Sequence, residues 1–173
     1  SPTEIEAARE YIEGSSVLLT QLETNLEAVE QAIRIAHAKG VTVILNPAPA
    51  PPQPLPDALL AMVDILTPHE TEAAVLAGVK ITTMDDAQQA ALALKTKGGK
   101  CVIITMGGKG ALVVNGTTPC VIPPIPVAVV DTTGAGDAFN GGLAVALAEG
   151  RDILQAVAFA NATGALSVTQ LGT

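Results

Sequence analysis

The chain is poor in aromatic residues and in charge. Among 173 residues there is no Trp, one Tyr and two Phe, and Asp, Glu, Lys and Arg together make up 15%, against about 25% in ordinary globular proteins. A core without aromatic anchors must be built from aliphatic helices and buried strands, and the 49% hydrophobic fraction supplies them. Basic residues are scarce: nine Lys and Arg against 17 Asp and Glu leave a net charge of −8, with only the scattered Lys95, Lys97 and Lys100 resembling a cluster. Without a basic stripe or an aromatic stacking platform, nucleic acid is excluded as a partner. No apolar run reaches the roughly 18 residues that span a bilayer, so no membrane segment is expected, and no signal-peptide pattern opens the sequence. The two cysteines, Cys101 and Cys120, lack metal-ligand spacing. Cys101 opens an apolar run and reads as a reduced, packed thiol, which points to a cytoplasmic protein.

What is present alternates regularly. Strand-length apolar runs at Val17–Leu22, Val41–Leu45, Val63–Thr67 and Cys101–Thr105 are separated by helical patterns. A first helix is predicted over Glu4–Glu13. A second is capped at Thr24 or Asn25 and closed by Gly40; a third runs from Glu70 to Leu76 and is closed by Gly78; a fourth covers Ala87–Lys97. Asn46 to Pro52 is too rich in proline for regular structure. Gly107 to Gly110 reads as a tight turn into Ala111–Val114, and Asn115-Gly116 as a hairpin to Cys120–Ile122. Two final helices are predicted over Ala138–Glu149 and from Asp152 to about Val168. Such alternation implies parallel βαβ units in a single α/β domain covering residues 1–173, with helices on both faces of the sheet. Ligands gather beyond the carboxyl ends of such strands, so Glu23, Asn46, His69 and Gly107 are expected on one rim.

The most informative segment is Asp131-Thr132-Thr133-Gly134-Ala135-Gly136-Asp137-Ala138-Phe139. Gly134, Ala135 and Gly136 strip a helix start of side-chain bulk, leaving unpaired N–H groups at the positive end of the helix dipole, where phosphate binds. The carboxylate of Asp137 beside that nest is placed to accept a proton from an attacking hydroxyl. The loop is not a dinucleotide fingerprint, because a third glycine is absent, and no Walker A sequence occurs in the chain. Together the parts predict a phosphoryl-transfer site.

Asp131-Thr-Thr-Gly-Ala-Gly-Asp-Ala-Phe-Asn-Gly-Gly resembles the C-terminal motif of the ribokinase-type (PfkB) family of sugar kinases. Leu19-Thr20-Gln21-Leu22-Glu23, Leu45-Asn46-Pro47-Ala48-Pro49-Ala50 and Ile104-Thr105-Met106-Gly107-Gly108-Lys109-Gly110 are similar to that family in the same order. The resemblance covers essentially all 173 residues. It implies a ribokinase-like three-layer α/β/α sandwich with a mostly parallel sheet, of which the N-terminal third, the lid strands and a short C-terminal tail are expected to be missing. The start at Ser1 rather than Met, and the stop at Gly172-Thr173, read the same way.

By that resemblance the activity is ATP-dependent phosphorylation of the primary hydroxyl of ribose, with another sugar or a nucleoside as alternative acceptor. A catalytically incompetent nucleotide-binding fragment is the competing class. Asp137 would be the base and would face the sugar with Glu23; Gly134, Ala135 and Gly136 would form the anion hole. The nucleotide would be bordered by His69, Gly107, Gly108, Lys109, Gly110, Ala111, Leu112, Gly136, Asp137 and Asn161. Asp131, Thr133, Ser167, Gln170 and Gly172 would shape a potassium site behind the anion hole, and Glu72 would act on magnesium indirectly. The parent would be a homodimer joined through its lid. One departure stands out. Where the family has Asn-x-x-Glu, this chain has His69-Glu70-Thr71-Glu72, and an imidazole differs from an amide in size and titration.

Overall fold

Side chains of successive strand residues enter two different apolar layers, and this period of two organises the molecule. In the computed structural model, which describes residues 1–172, six strands form one sheet in chain order: β1 Val17–Thr20, β2 Thr42–Leu45, β3 Ile65–Leu66, β4 Cys101–Thr105, β5 Ala111–Asn115 and β6 Pro119–Ile122. Pairing is parallel from β1 to β4 and antiparallel from β4 to β6. Val43, Leu45, Leu66, Val102, Ile104, Leu112 and Val114 point into one layer. Their neighbours Ile44, Ile65, Cys101, Ile103, Ala111 and Val113 point into the other. A strand buried on both faces reads as a continuous apolar run, as Cys101–Ile104 does.

Helices cover both faces, so the three-layer α/β/α arrangement implied by the sequence is present. The short helices α1 (Pro2–Ala7) and α2 (Arg9–Glu13) lie outside α3 (Leu26–Lys39). With α4 (Asp57–Leu60), α5 (Glu70–Ala77) and α6 (Met84–Thr96), α3 closes the first layer. The second layer is closed by α7 (Ala135–Ala148) and α8 (Ile153–Ser167). The caps are those the sequence announces. Asn25 Oδ1 accepts from the Ala28 N–H at 3.0 Å, and Gly40 and Gly78 end their helices in the left-handed region at φ 74° and 71°.

Several boundaries differ from the sequence reading. The first predicted helix is two, interrupted at Ala8, and nothing in the sequence explains the break. The four-residue α4, entered from Pro56, had no pattern to announce it. Most consequentially, α7 starts at Ala135, three residues before the predicted Ala138. The glycine segment is therefore the first turn of the helix itself. Cys101 and Cys120 are both free thiols, and burial pushes the Cys101 thiol up to about 11.

Candidate active site at the start of helix α7

Gly134 caps α7 from the left-handed region at φ 74°, a conformation glycine adopts without strain. The Ala135 N–H is taken by the Thr132 carbonyl at 3.2 Å. Among the described residues, no acceptor meets the N–H groups of Gly134, Gly136 or Asp137. A Cβ built on Gly136 would meet nothing within 4 Å, so the backbone here faces open space. A helix N-terminus with unpaired amides and an approachable backbone has the geometry that can receive an anion.

Two clefts adjoin this turn. One, of about 460 Å³, is lined by Leu19, Thr20, Gln21, Glu23 and Thr24 from the end of β1 and by Asp137 and Asn140 from α7. The other, of about 420 Å³, is more apolar. Gly107, Gly108 and Gly110 line it from one side, Val127 and Val129 from the segment after β6, and Asn161 from α8. Ala135 and Gly136 belong to this second cleft. One turn of helix therefore forms a wall of both.

The side chain of Asp137 is held at one oxygen only. Its Oδ1 accepts from Gln21 Nε2 at 2.7 Å, and among the described residues Oδ2 has no partner. The same Gln21 amide donates to Asn46 Oδ1 at 3.2 Å, and Asn46 Nδ2 donates to the Thr67 carbonyl at 2.7 Å. Thr67 Oγ1 donates to Asn140 Oδ1 at 2.7 Å, and Asn140 Nδ2 returns to the Gly136 carbonyl at 3.0 Å. Asn46, Thr67 and Asn140 are buried, and each is paired.

The family model described as pfkB family carbohydrate kinase matches residues 5–173. The chain belongs to this family. It is 46% identical over 158 residues to a ribokinase of Haemophilus influenzae, covering 91% of this chain and 51% of that protein. Its fold superposes with a TM-score of 0.91 on an Arabidopsis thaliana ribokinase complexed with ribose and ATP, at 34% identity, covering 97% of this chain and 54% of that one. A phosphofructokinase-2 from Escherichia coli in complex with potassium gives a TM-score of 0.79 at 27% identity, covering 99% of this chain and 57% of that one. The chain thus spans about half the length of such relatives.

Within this pfkB domain the predicted site residues fall into three groups. Glu23 and Asp137 line the first cleft, and Gly107, Gly108, Gly110, Gly136 and Asn161 line the second. The Asn161 amide donates to the Pro123 carbonyl at 3.1 Å, so it ties the segment after β6 to α8. Lys109, Ala111 and Leu112 are placed otherwise. Lys109 Nζ pairs with Glu70 at 2.8 Å, and Ala111 and Leu112 are fully buried in the two opposite core layers. Period-two alternation sends the side chains of the last two into the core layers, and neither lines a cleft.

His69 and Glu72 line neither cleft. His69 caps α5, its Nδ1 accepting from the Thr71 and Glu72 N–H groups at 3.1 Å each. The buried Glu72 carboxylate accepts from the His69 N–H at 2.9 Å. The imidazole thus takes the capping role of an amide oxygen. Behind the first turn of α7, Asp131 Oδ1 accepts from the Thr133 N–H at 2.9 Å and from its hydroxyl at 2.8 Å, while Oδ2 accepts from the Gly172 N–H at 3.2 Å. The Thr133 amide first, then its hydroxyl and the Gly172 amide, hold the Asp131 carboxyl below the usual range. The Val130 N–H donates to the Val168 carbonyl at 2.8 Å, so the two segments expected to share a cation do meet. Ser167 Oγ is turned to the Gly164 carbonyl at 2.8 Å, and Gln170 is exposed.

Sequence reasoning assigned no role to Gln21, Thr67 or Asn140. For Asn140 a signal existed: three residues beyond Asp137 on one helix, it shares that face of α7.

Proposed function

We propose that this chain carries the phosphoryl-transfer centre of an ATP-dependent sugar kinase, with the primary hydroxyl of ribose as acceptor and ribose 5-phosphate and ADP as products. The observation that carries the proposal is the first turn of α7 standing between two clefts, its carboxylate lining one and its glycine backbone lining the other. Sugar in the first cleft and nucleotide in the second would meet at that turn. The ribose and ATP complex of the Arabidopsis relative supports both ligand classes.

Asp137 Oδ2, without a partner among the described residues, would take the hydroxyl proton as the sugar oxygen attacks the terminal phosphorus and the bond to ADP breaks. Gln21, bonded to Oδ1, fixes the carboxylate's direction. The free amides of Gly134, Gly136 and Asp137 would neutralise charge on the transferring group, which costs no reorganisation because the helix already points them. Glu23, exposed at the rim of the first cleft, is placed to bond sugar hydroxyls.

Among the described residues, no three His, Cys, Asp or Glu side chains converge. Both Glu72 oxygens face His69. Magnesium therefore fits as an ion carried by the nucleotide phosphates, the arrangement it prefers. For potassium the oxygen-only donors of the Asp131–Thr133 and Ser167–Gly172 segments suit a hard cation, and the potassium complex of the phosphofructokinase relative supports that reading. Such an ion would supply positive charge behind the anion hole.

The test is ADP release by the intact protein with ATP and a panel of ribose, fructose and adenosine, with and without potassium. The highest kcat/KM for ribose, raised by potassium, is expected. A preference for another acceptor overturns the ribose assignment. Nucleotide-dependent thermal stabilisation without turnover would favour a binding module over an enzyme.

A further inference from the structure

The polar chain that starts at Asp137 ends one residue away, at the Gly136 carbonyl, after visiting the ends of three parallel strands. Its polarity is fixed from both ends by groups that can only accept. The Thr67 carbonyl obliges Asn46 to present Nδ2, which leaves Asn46 Oδ1 for the Gln21 amide and turns Gln21 Nε2 to Asp137. The Gly136 carbonyl obliges Asn140 to present Nδ2, which leaves its Oδ1 for the Thr67 hydroxyl. No amide in the circuit can flip without setting two like groups against each other.

We infer that Gln21, Asn46, Thr67 and Asn140 form a positioning relay that registers the first turn of α7 against the strand ends and so fixes both the base and the anion hole. The inference rests on the reading of Asp137 as base. Thr67 is the decisive member because it touches neither cleft and is 1% exposed. It lies outside both clefts, and of the two acceptors its hydroxyl meets, Asn140 Oδ1 at 2.7 Å and the Leu45 carbonyl at 3.5 Å, the short bond to Asn140 is the one that leads to α7. A backbone turn displaced by a fraction of an ångström is enough to matter, since misplacement of about 1 Å by a remote substitution costs roughly 10²-fold.

The experiment compares Thr67→Val, which keeps the shape and removes the hydroxyl, with Thr67→Ser, which keeps the hydroxyl, in the intact protein. For Thr67→Val, kcat is expected to fall between about 10-fold and 10²-fold, with both KM values within about threefold of wild type. Thr67→Ser should restore kcat. Independently of turnover, hydrogen exchange of the Ala138 amide, which donates to the Gly134 carbonyl at 2.9 Å, should accelerate in Thr67→Val and not in Thr67→Ser. A folded Thr67→Val with wild-type kcat and exchange overturns the relay, as does a Thr67→Ser no better than Thr67→Val. If Thr67→Val does not fold, the half-buried Gln21→Leu decides: a kcat-weighted loss supports the relay and unchanged kcat overturns it. Asp137→Asn run alongside separates the two readings. Full activity in Asp137→Asn removes the base assignment, whereas inactivity there beside a fully active Thr67→Val removes only the relay.

Discussion

Replacing Asp137 by Asn should divide chemistry from architecture. An amide has the shape of the carboxylate, and its Oδ1 still accepts from Gln21 Nε2, so the 2.7 Å contact persists. The variant loses one negative charge from the first turn of α7, worth about 0.3–1 kcal/mol against the helix dipole. For a domain of this size that amounts to a Tm drop of at most about 4 °C. The loss in rate should be far larger. Oδ2 is the oxygen left open toward the first cleft, and an amide NH₂ in its place cannot take a proton. Removing a general base costs about 10²–10⁴ in rate, equivalent to about 2.7–5.4 kcal/mol in barrier at 1.36 kcal/mol per decade. KM for ATP should stay level or fall, because a charge that repels phosphate has gone. The assay is coupled ADP release under saturating sugar and nucleotide, with Tm measured on the same preparation. Turnover within about threefold of wild type, in a variant of unchanged Tm, would refute the assignment of Asp137.

Three further expectations follow from particular contacts. His69→Asn in the intact protein should leave turnover equal or higher and raise stability by up to about 1 kcal/mol, since Asn is among the best N-caps and can accept from the same Thr71 and Glu72 amides; a large fall in kcat contradicts this. Gly142→Ala would drive a Cβ into Thr163 Oγ1, whose hydroxyl already bonds the Ala138 and Ala160 carbonyls, so urea denaturation should show a loss of about 1–3 kcal/mol, partly recovered in Gly142→Ala/Thr163→Ala; a neutral single variant would refute the close packing of α7 on α8. Asp86 accepts from the Thr82 hydroxyl and from the Thr82 and Thr83 N–H groups at 2.8–2.9 Å, which hold its carboxyl far below the ordinary 3.8. Its contribution to the start of α6 is therefore complete above the unfolded value and is lost only as pH falls through the depressed folded one; the Thr82 and Thr83 amide shifts should stay constant from neutral pH to about 4, and a midpoint at or above 3.8 would refute it.

The sequence was legible where the determinant is local. Strand β4 was read to the residue, because Cys101–Ile104 is apolar throughout and Thr105 closes the run, and α3 was bracketed by Thr24 or Asn25 at its start, of which Asn25 is the cap, and by Gly40 at its end. The helix start at Gly134–Gly136 was visible because two glycines lie two apart ahead of an apolar run. What was misjudged there was the boundary, since low helix propensity for glycine argues against a first helical turn, which the structure nevertheless forms, with the Gly134 carbonyl accepting from the Ala138 N–H and the Gly136 carbonyl from the Asn140 side chain. The polar relay was invisible for a different reason. Gln21, Asn46, Thr67 and Asn140 are separated by 25, 21 and 73 positions, and only strand order brings them together. A lone Thr at the end of an apolar run carries no mark of the partner it will find. Likewise Ala111 and Leu112 follow the glycine turn in sequence, but the pleat that begins there turns their side chains into the core.

The shared wall has a thermodynamic consequence. On the proposed assignment, a ligand in either cleft would press on the same turn of α7, so a shift that suits one occupant would alter the surface offered to the other. If the clefts take nucleotide and sugar as proposed, whatever factor nucleotide contributes to sugar affinity, sugar would return to nucleotide affinity in equal measure. Two binding steps that look independent on the page of a rate equation would then be one equilibrium seen from two sides, with Ala135, Gly136 and Asp137 as the common coordinate.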